Sequence, residues 1–312
     1  MAPTSKRISA PATSPEASAA PAAVLVRSSL LEELPWLRHG FSTRKGGVSV
    51  AYRPPRSRLK ELNLGETPDD DPAHVAENRR RFLEALVAGS PLKKLPKLVA
   101  VHQVHTTAIW RDPEPGLSGD GLLTDTVGQA LSVRVADCVP ILLADVKTRA
   151  VAALHAGWRG TLQRIAEKGV GEMRAHFGSR PEDLRVAIGP SIRRCCYDVG
   201  PEVVEAFQFT FEYGKELFSD YEDDPVKNRY PMLFMTGAPP GHPYDPRWNY
   251  ETPARLDLAE ANRRQLLVAG VPEANIDVMP YCTKCRADLF FSHRRDEGKT
   301  GRMAAAICRV KR

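Results

Sequence analysis

The stretch Cys138–His155, CVPILLADVKTRAVAALH, sets two apolar runs on either side of a polar turn. Short apolar runs bounded by turn residues read as buried strands. A turn centred on Val146–Lys147 makes them a hairpin and sets Cys138 opposite His155, with Cβ atoms about 5 Å apart. Register decides this contact, because a slip of one residue turns a side chain to the other face. A thiol beside an imidazole supports two chemistries: a thiolate activated by histidine, or two ligands of one metal ion.

Working outward, Ala156–Thr161 reads AGWRGT and leads into LQRIAEKGVGEMRAHF, whose apolar residues fall at helical spacing. Gly157 and Gly160 let the backbone approach a ligand closely. The N-terminus of the following helix favours an anion, and Arg159 would reinforce it. Upstream lies VHQVHT. His102 and His105 are three residues apart, so in a strand they face opposite ways and only one can join the site. Two histidines and a cysteine with an open fourth position suit a catalytic zinc, which uses that position to activate water or polarise a substrate. Each residue taken alone also has a plain packing role.

The 312 residues suffice for one large domain or two small ones. The net charge of +6 is spread along the chain, with no basic stripe interleaved with aromatics, so the composition favours an anionic small substrate over nucleic acid. No apolar run approaches the roughly 20 residues of a membrane span. The first 23 residues are rich in Ala, Pro and Ser and read as a disordered tail. They contain no continuous apolar stretch, so the six cysteines are expected as free or metal-bound thiols in a reducing cytoplasm. From residue 24 onward helices and strands intersperse, with adjoining strands in the middle, which predicts an α+β domain. Helices are expected over residues 74–88, from Pro201, and over 253–270, and a strand region over 97–110. Residues 212–250 lack periodicity and are Pro/Gly-rich, which predicts a loop insertion. The CTKC motif at Cys282–Cys285 is half a zinc knuckle. Its candidate partners Cys195 and Cys196 are adjacent, a poor spacing for a second chelate, so packing is the expected role, with Cys282 near the site.

Several segments occur together and in order: FSTRKGGVS, LNLG, DPAHVAENRRRF, HQVH, ADCVPILL, HAGWRGT, AIGPSI with CCYDVG, DLAEANRRQLLVAGV, YCT, and FFSHRRDEGKTGRMAAAI. Together they resemble the laccase-domain family once called polyphenol oxidases, whose members are described as purine nucleoside phosphorylases and, in some bacteria, as peptidoglycan editing factors. The resemblance spans residues 24–312. It implies a single-domain α-β-β-α sandwich similar to the catalytic domain of deamidating toxins. It also implies a zinc site at His105, Cys138 and His155, with copper as the alternative ion. The implied activity is phosphorolysis of adenosine, inosine, guanosine and methylthioadenosine, and deamination of adenosine. Purine nucleosides and phosphate are then the partners, without nucleic acid or membrane, and a homo-oligomer is compatible with it.

Within this frame Arg44 and Arg294 are candidates for phosphate or ribose contacts, because a guanidinium fork matches phosphate oxygens. Asn63 is a candidate for a base or ribose edge, and Arg159 and Gly157 for substrate binding. Arg295 and Arg302 read as structural. Glu66 and Thr67 stand where many members carry a histidine, and His293 replaces a common tyrosine. Three rival readings remain: a copper oxidase, a metal-free Cys–His hydrolase, and a peptidoglycan-precursor hydrolase. A multicopper site needs more histidines than the eight present, none of them in an H-x-H pair.

Overall fold

The run Val139–Asp145 is apolar at nearly every position because both of its faces are buried. The computed structural model, which describes residues 22–53, 57–219 and 254–311, sets this strand inside a six-stranded sheet. The order is Ile276–Val278, Leu184–Ile188, Val139–Asp145, Val151–Ala156, Gly121–Thr124, Ile109–Arg111. Val139, Ile141 and Leu143 point to one face, Leu142 and Ala144 to the other, and all are fully buried. A sheet covered on both sides needs this continuous pattern instead of alternation.

A second sheet runs Leu25–Val26, Leu37–Ser42, Met303–Arg309, Gln129–Val135, Lys97–Val99. Its Phe41, Leu131, Val133, Ala305 and Ile307 share one core with Leu142, Ala144, Val151 and Ala153 of the first. The outer face of the first sheet is covered by helices Ile165–Phe177, Pro201–Thr210 and Leu258–Val268. Helix Pro72–Leu86 covers the outer face of the second through Phe82, Leu83 and Leu86, against Ala130, Ala304 and Ala306. That helix starts where its sequence dictates: Asp71 accepts the Ala73 N–H and Pro72 takes the first turn. Both large sheets mix parallel and antiparallel pairs. A small third sheet joins Asp198–Val199, Ala254–Leu256 and Phe218–Ser219. Among the described residues no helix is long and apolar enough to cross a membrane.

Four sequence expectations are corrected. The hairpin register lies two residues from the expected one: His155 faces Pro140, and Val139 faces Ala156. The cause is the turn. Asp145 Oδ1 accepts the N–H groups of Lys147 and Thr148 at 2.7 and 3.0 Å, and Arg149 takes a left-handed φ of 60°. The loop therefore closes between Asp145 and Ala150. A shift of two keeps Cys138 and His155 on one face, now diagonal to each other. Second, residues 97–110 are not one strand: strand Lys97–Val99 ends and strand Ile109–Arg111 begins, with only an isolated bridge from His102 to Ser118 in the loop between. Third, the helix expected after Gly160 begins earlier and is broken. Trp158–Leu162 ends before a left-handed Arg164, and Ile165–Phe177 follows. Fourth, residues 254–256 form a strand, so the next helix begins at Leu258, capped by Asp257 accepting the Glu260 N–H. The expected loop over 212–250 begins with a 3-10 turn, Gly214–Leu217, and strand Phe218–Ser219. Its remainder lies outside the described residues, as do residues 1–21 of the expected tail.

His39, in strand Leu37–Ser42, is buried and accepts the Ser28 N–H at Nε2, 2.9 Å away. Burial, helped by the charge of Arg27, lowers its pKa to about 3. A folded pKa below the unfolded one means that the unfolded chain binds the proton more readily. Stability is therefore full above about 6.5 and declines as pH falls towards 3. Between pH 7 and 5 this site should remove about 2 kcal/mol. Urea unfolding of His39→Gln should show a correspondingly smaller loss over that interval; an unchanged pH dependence would contradict the assignment.

Candidate active site

Three candidate side chains meet where strand ends and loops converge. Cys138 directly precedes strand Val139–Asp145, and His155 lies near the end of the neighbouring strand. His105 comes from the loop that interrupts residues 97–110, with a left-handed φ of 59°. The donor atoms of His105, Cys138 and His155 all lie within 4.8 Å of one another. Cys138 Sγ is 3.9 Å from His105 Nε2, and the two imidazoles stand edge to face, 5.0 Å between centroids. His102 does not join them. It lines a separate cavity of about 410 Å³ with Glu66, Arg79 and Arg134, and Glu66 pairs there with Arg79 at 2.8 Å.

One carboxylate organises the histidines. Asp120 is fully buried and accepts His155 Nδ1–H at 2.7 Å through Oδ1. Its Oδ2 accepts Thr106 N–H at 2.6 Å, Thr106 Oγ1–H at 3.0 Å and Val104 N–H at 3.3 Å. The same group thus orients His155, leaving Nε2 for the site, and clamps the loop residues either side of His105. Asp120 carries no sequence motif, and sequence reasoning missed it. Burial would raise its pKa, but the His155 and Thr106 hydrogen bonds outweigh it and hold the carboxyl at about 2.

Cys138 is held from its other side. Asp137 takes a φ of 90°, a conformation that side chains rarely adopt and that persists only where the surroundings fix it. Thr283 Oγ1 donates to its Oδ1 at 2.6 Å, and Ser292 Oγ and Arg294 N–H donate to Oδ2 at 3.0 and 2.7 Å. Burial alone would raise the Cys138 pKa. The positive character of His155 and a hydrogen bond to His105 reverse this and place the thiol below its usual range. His155 shifts the opposite way, raised against its own burial by Cys138 and Asp120. The two groups thus shift each other, the thiol down and the imidazole up.

Gly157 closes the arrangement. A Cβ there would lie 2.8 Å from His105 Cδ2 and 3.3 Å from Cys138 Sγ. Its φ of −72° is ordinary, so space and not backbone freedom requires glycine. Two imidazole nitrogens and a thiolate sulfur form a donor set suited to zinc, and also to copper. With Asp120 behind His155, these residues fit one such ion.

The remaining candidates divide. Arg294 is exposed, with Nη1 on the Asp198 carbonyl at 2.6 Å and its guanidinium 5.3 Å from the Tyr197 ring centroid. Arg159 is exposed and stacks 4.4 Å from the Trp158 ring centroid. Tyr197, also missed in the sequence, senses Cys138, Arg294 and Arg159 together. Burial, reinforced by the Cys138 charge, pushes its phenol up to about 12, so it stays a hydrogen-bond donor at neutral pH. Arg44 and Asn63 both lie inside the fold. Arg44 is buried, pairs with Glu61 at 2.6 Å, donates to the Ala287 and Tyr52 carbonyls, and lies over Phe291. Asn63 is fully buried; it donates to Gly65 O and Asp70 and accepts the Gly65 and Arg302 N–H groups. Both side chains thereby tie segments of the fold together.

A family model described as multi-copper polyphenol oxidoreductase laccase matches residues 38–310. The chain is 36% identical over 286 residues to a protein named purine nucleoside phosphorylase YlmD from Geobacillus stearothermophilus, covering 86% of this chain and 89% of that one. It is 34% identical over 278 residues to adenosine deaminase RL5 from an unknown prokaryotic organism, covering 86% and 93%. The solved structure of hypothetical protein YfiH from Bacillus licheniformis is similar at a TM-score of 0.73 and 32% identity, covering 94% of this chain and 98% of that one. The chain belongs to this laccase-like polyphenol oxidase family.

Gly157→Ala should force His105 and Cys138 apart. The expected result is a folded protein with an unchanged circular dichroism spectrum and at least about tenfold weaker zinc binding, by analogy with other disturbances around metal ligands. Unaltered affinity would show that the three side chains do not bind as a unit.

Proposed function

We propose that this protein is a zinc-dependent purine nucleoside phosphorylase that also deaminates adenosine. The observation that carries this reading is the meeting of His105, Cys138 and His155 beside Tyr197, Arg159 and Arg294, in a chain whose relatives bear the names of both activities. A bound zinc ion would supply Lewis acidity at its open coordination position. The chain's own residues do the rest. Asp120 keeps the proton on His155 Nδ1, so that Nε2 faces the site. Arg159 and Arg294 offer guanidinium groups to the anionic oxygens of phosphate. Tyr197 keeps its phenolic proton and can donate it as a hydrogen bond to a substrate oxygen or ring nitrogen. In phosphorolysis a phosphate oxygen bonds to the anomeric carbon as the bond to the base nitrogen breaks. The base leaves with its electron pair and takes up a proton.

A second reading has an observation of its own. Cys138, His155 and Asp120 line up as nucleophile, base and orienting carboxylate, the order of a metal-free cysteine hydrolase. The two readings separate in one assay. Adenosine should yield adenine only when phosphate is present, and inosine whether or not it is. Both products should fall at least about 100-fold in Cys138→Ala and after chelation, the scale expected when several kcal/mol of barrier lowering is lost. Turnover that survives chelation but not Cys138→Ala would favour the cysteine hydrolase. Absence of either product from zinc-loaded protein would overturn the nucleoside assignment.

A further inference from the structure

Four of the five cysteines outside the active site come together. Cys195 and Cys196 are adjacent in sequence, a poor spacing for a chelate, but the fold brings both to the CTKC turn. Their turn, closed by Cys196 N–H and Tyr197 N–H on the Arg193 carbonyl, folds against the CTKC turn, closed by Arg286 N–H on the Cys282 carbonyl. A parallel bridge between Ser191 and Cys282 fixes the two loops side by side. Cys195 Sγ then lies 3.6 Å and Cys196 Sγ 3.3 Å from Cys285 Sγ. All four sulfurs are within 4.8 Å of one another. A tetrahedral site with zinc–sulfur bonds of about 2.3 Å has sulfur–sulfur edges of about 3.8 Å, so little movement would close it.

We propose that Cys195, Cys196, Cys282 and Cys285 form a second, structural metal site that binds one divalent thiophilic ion, zinc in the first place. The surrounding charge suits such a site. A tetrathiolate site with a divalent ion carries two negative charges, and Arg193, itself near Cys195 and Cys282, faces that charge. Arg194, Lys284 and Arg286 adjoin the same cysteines in sequence.

The site's place in the fold gives it a task. Tyr197 directly follows Cys196, and Thr283, between the other two cysteines, holds the Asp137 carboxylate beside Cys138. An ion here would tie together two loops that wall the active site, separately from any ion bound by His105, Cys138 and His155. Binding would release protons from the thiols that ligate it.

The test uses full-length Cys138→Ala, which leaves no sulfur in the active-site set. Loaded with cobalt, it should show sulfur-to-cobalt charge-transfer bands and tetrahedral ligand-field bands. As purified, the wild-type protein should carry two zinc equivalents per chain by mass spectrometry of metals. Adding Cys282→Ser and Cys285→Ser to Cys138→Ala should abolish the cobalt bands. A Cys138→Ala protein whose cobalt spectrum lacks the charge-transfer bands would overturn the proposal. So would wild-type protein whose four cysteines are found disulfide-linked by peptide mapping, or freely alkylated without displacing metal.

Discussion

The buried Asp120 carboxylate is the interaction on which the site depends. One oxygen fixes His155 at the end of a core strand, and the other fixes the loop around His105. A buried charge of this kind is costly unless every lone pair is engaged, and Asp120 engages both oxygens. Its backbone carbonyl also accepts the His155 N–H at 2.7 Å, so the pair is tied through main chain and side chain alike. The loop is thereby held in register with the sheet, although His105 itself sits in a strained backbone conformation. Such strain is maintained by the structure around it. Asp137 plays the matching part for Cys138, clamped by Thr283, Ser292 and the Arg294 backbone.

The surrounding fold explains why these groups can be held so closely. Two sheets share a core, and helices cover their outer faces. His155 lies in a central strand and Cys138 directly before another, and the neighbours of those strands on both sides fix their position. The arginines that would meet substrate come from the loops and the short helix at the rim, where side chains stay exposed. The division is physical: strand ends place Cys138 and His155, a loop clamped by Asp120 places His105, and the rim loops supply adaptable polar contacts.

What the sequence made legible was the part governed by local pattern. The continuous apolar run from Val139 announced a strand buried on both faces, and the following Val151–Ala156 run its partner. Cys138 and His155 could be paired from this alone, although the Asp145 turn moved the register by two. His105 was not legible by strand alternation, because it lies in a loop on a left-handed residue; only the family resemblance separated it from His102. Asp120 and Tyr197 gave no local signal, since their roles arise from contacts across the fold. Arg44 and Asn63 carry chemistry suited to phosphate or a base, and within the fold they contact Glu61, Asp70 and backbone groups. The adjacent cysteines misled because chelate spacing was judged along the chain, whereas two loops bring the sulfurs together.

The central claim is that Asp120 makes His105, Cys138 and His155 into one metal-binding unit. The most direct test is zinc affinity of Asp120→Asn against wild type, measured by competition with a chromogenic chelator at pH 7, with thermal unfolding followed on the same samples. An affinity about 10- to 100-fold weaker in protein that still unfolds cooperatively is the predicted result. Equal affinity in the two proteins would contradict the account, because the histidines would then be held in place without the carboxylate.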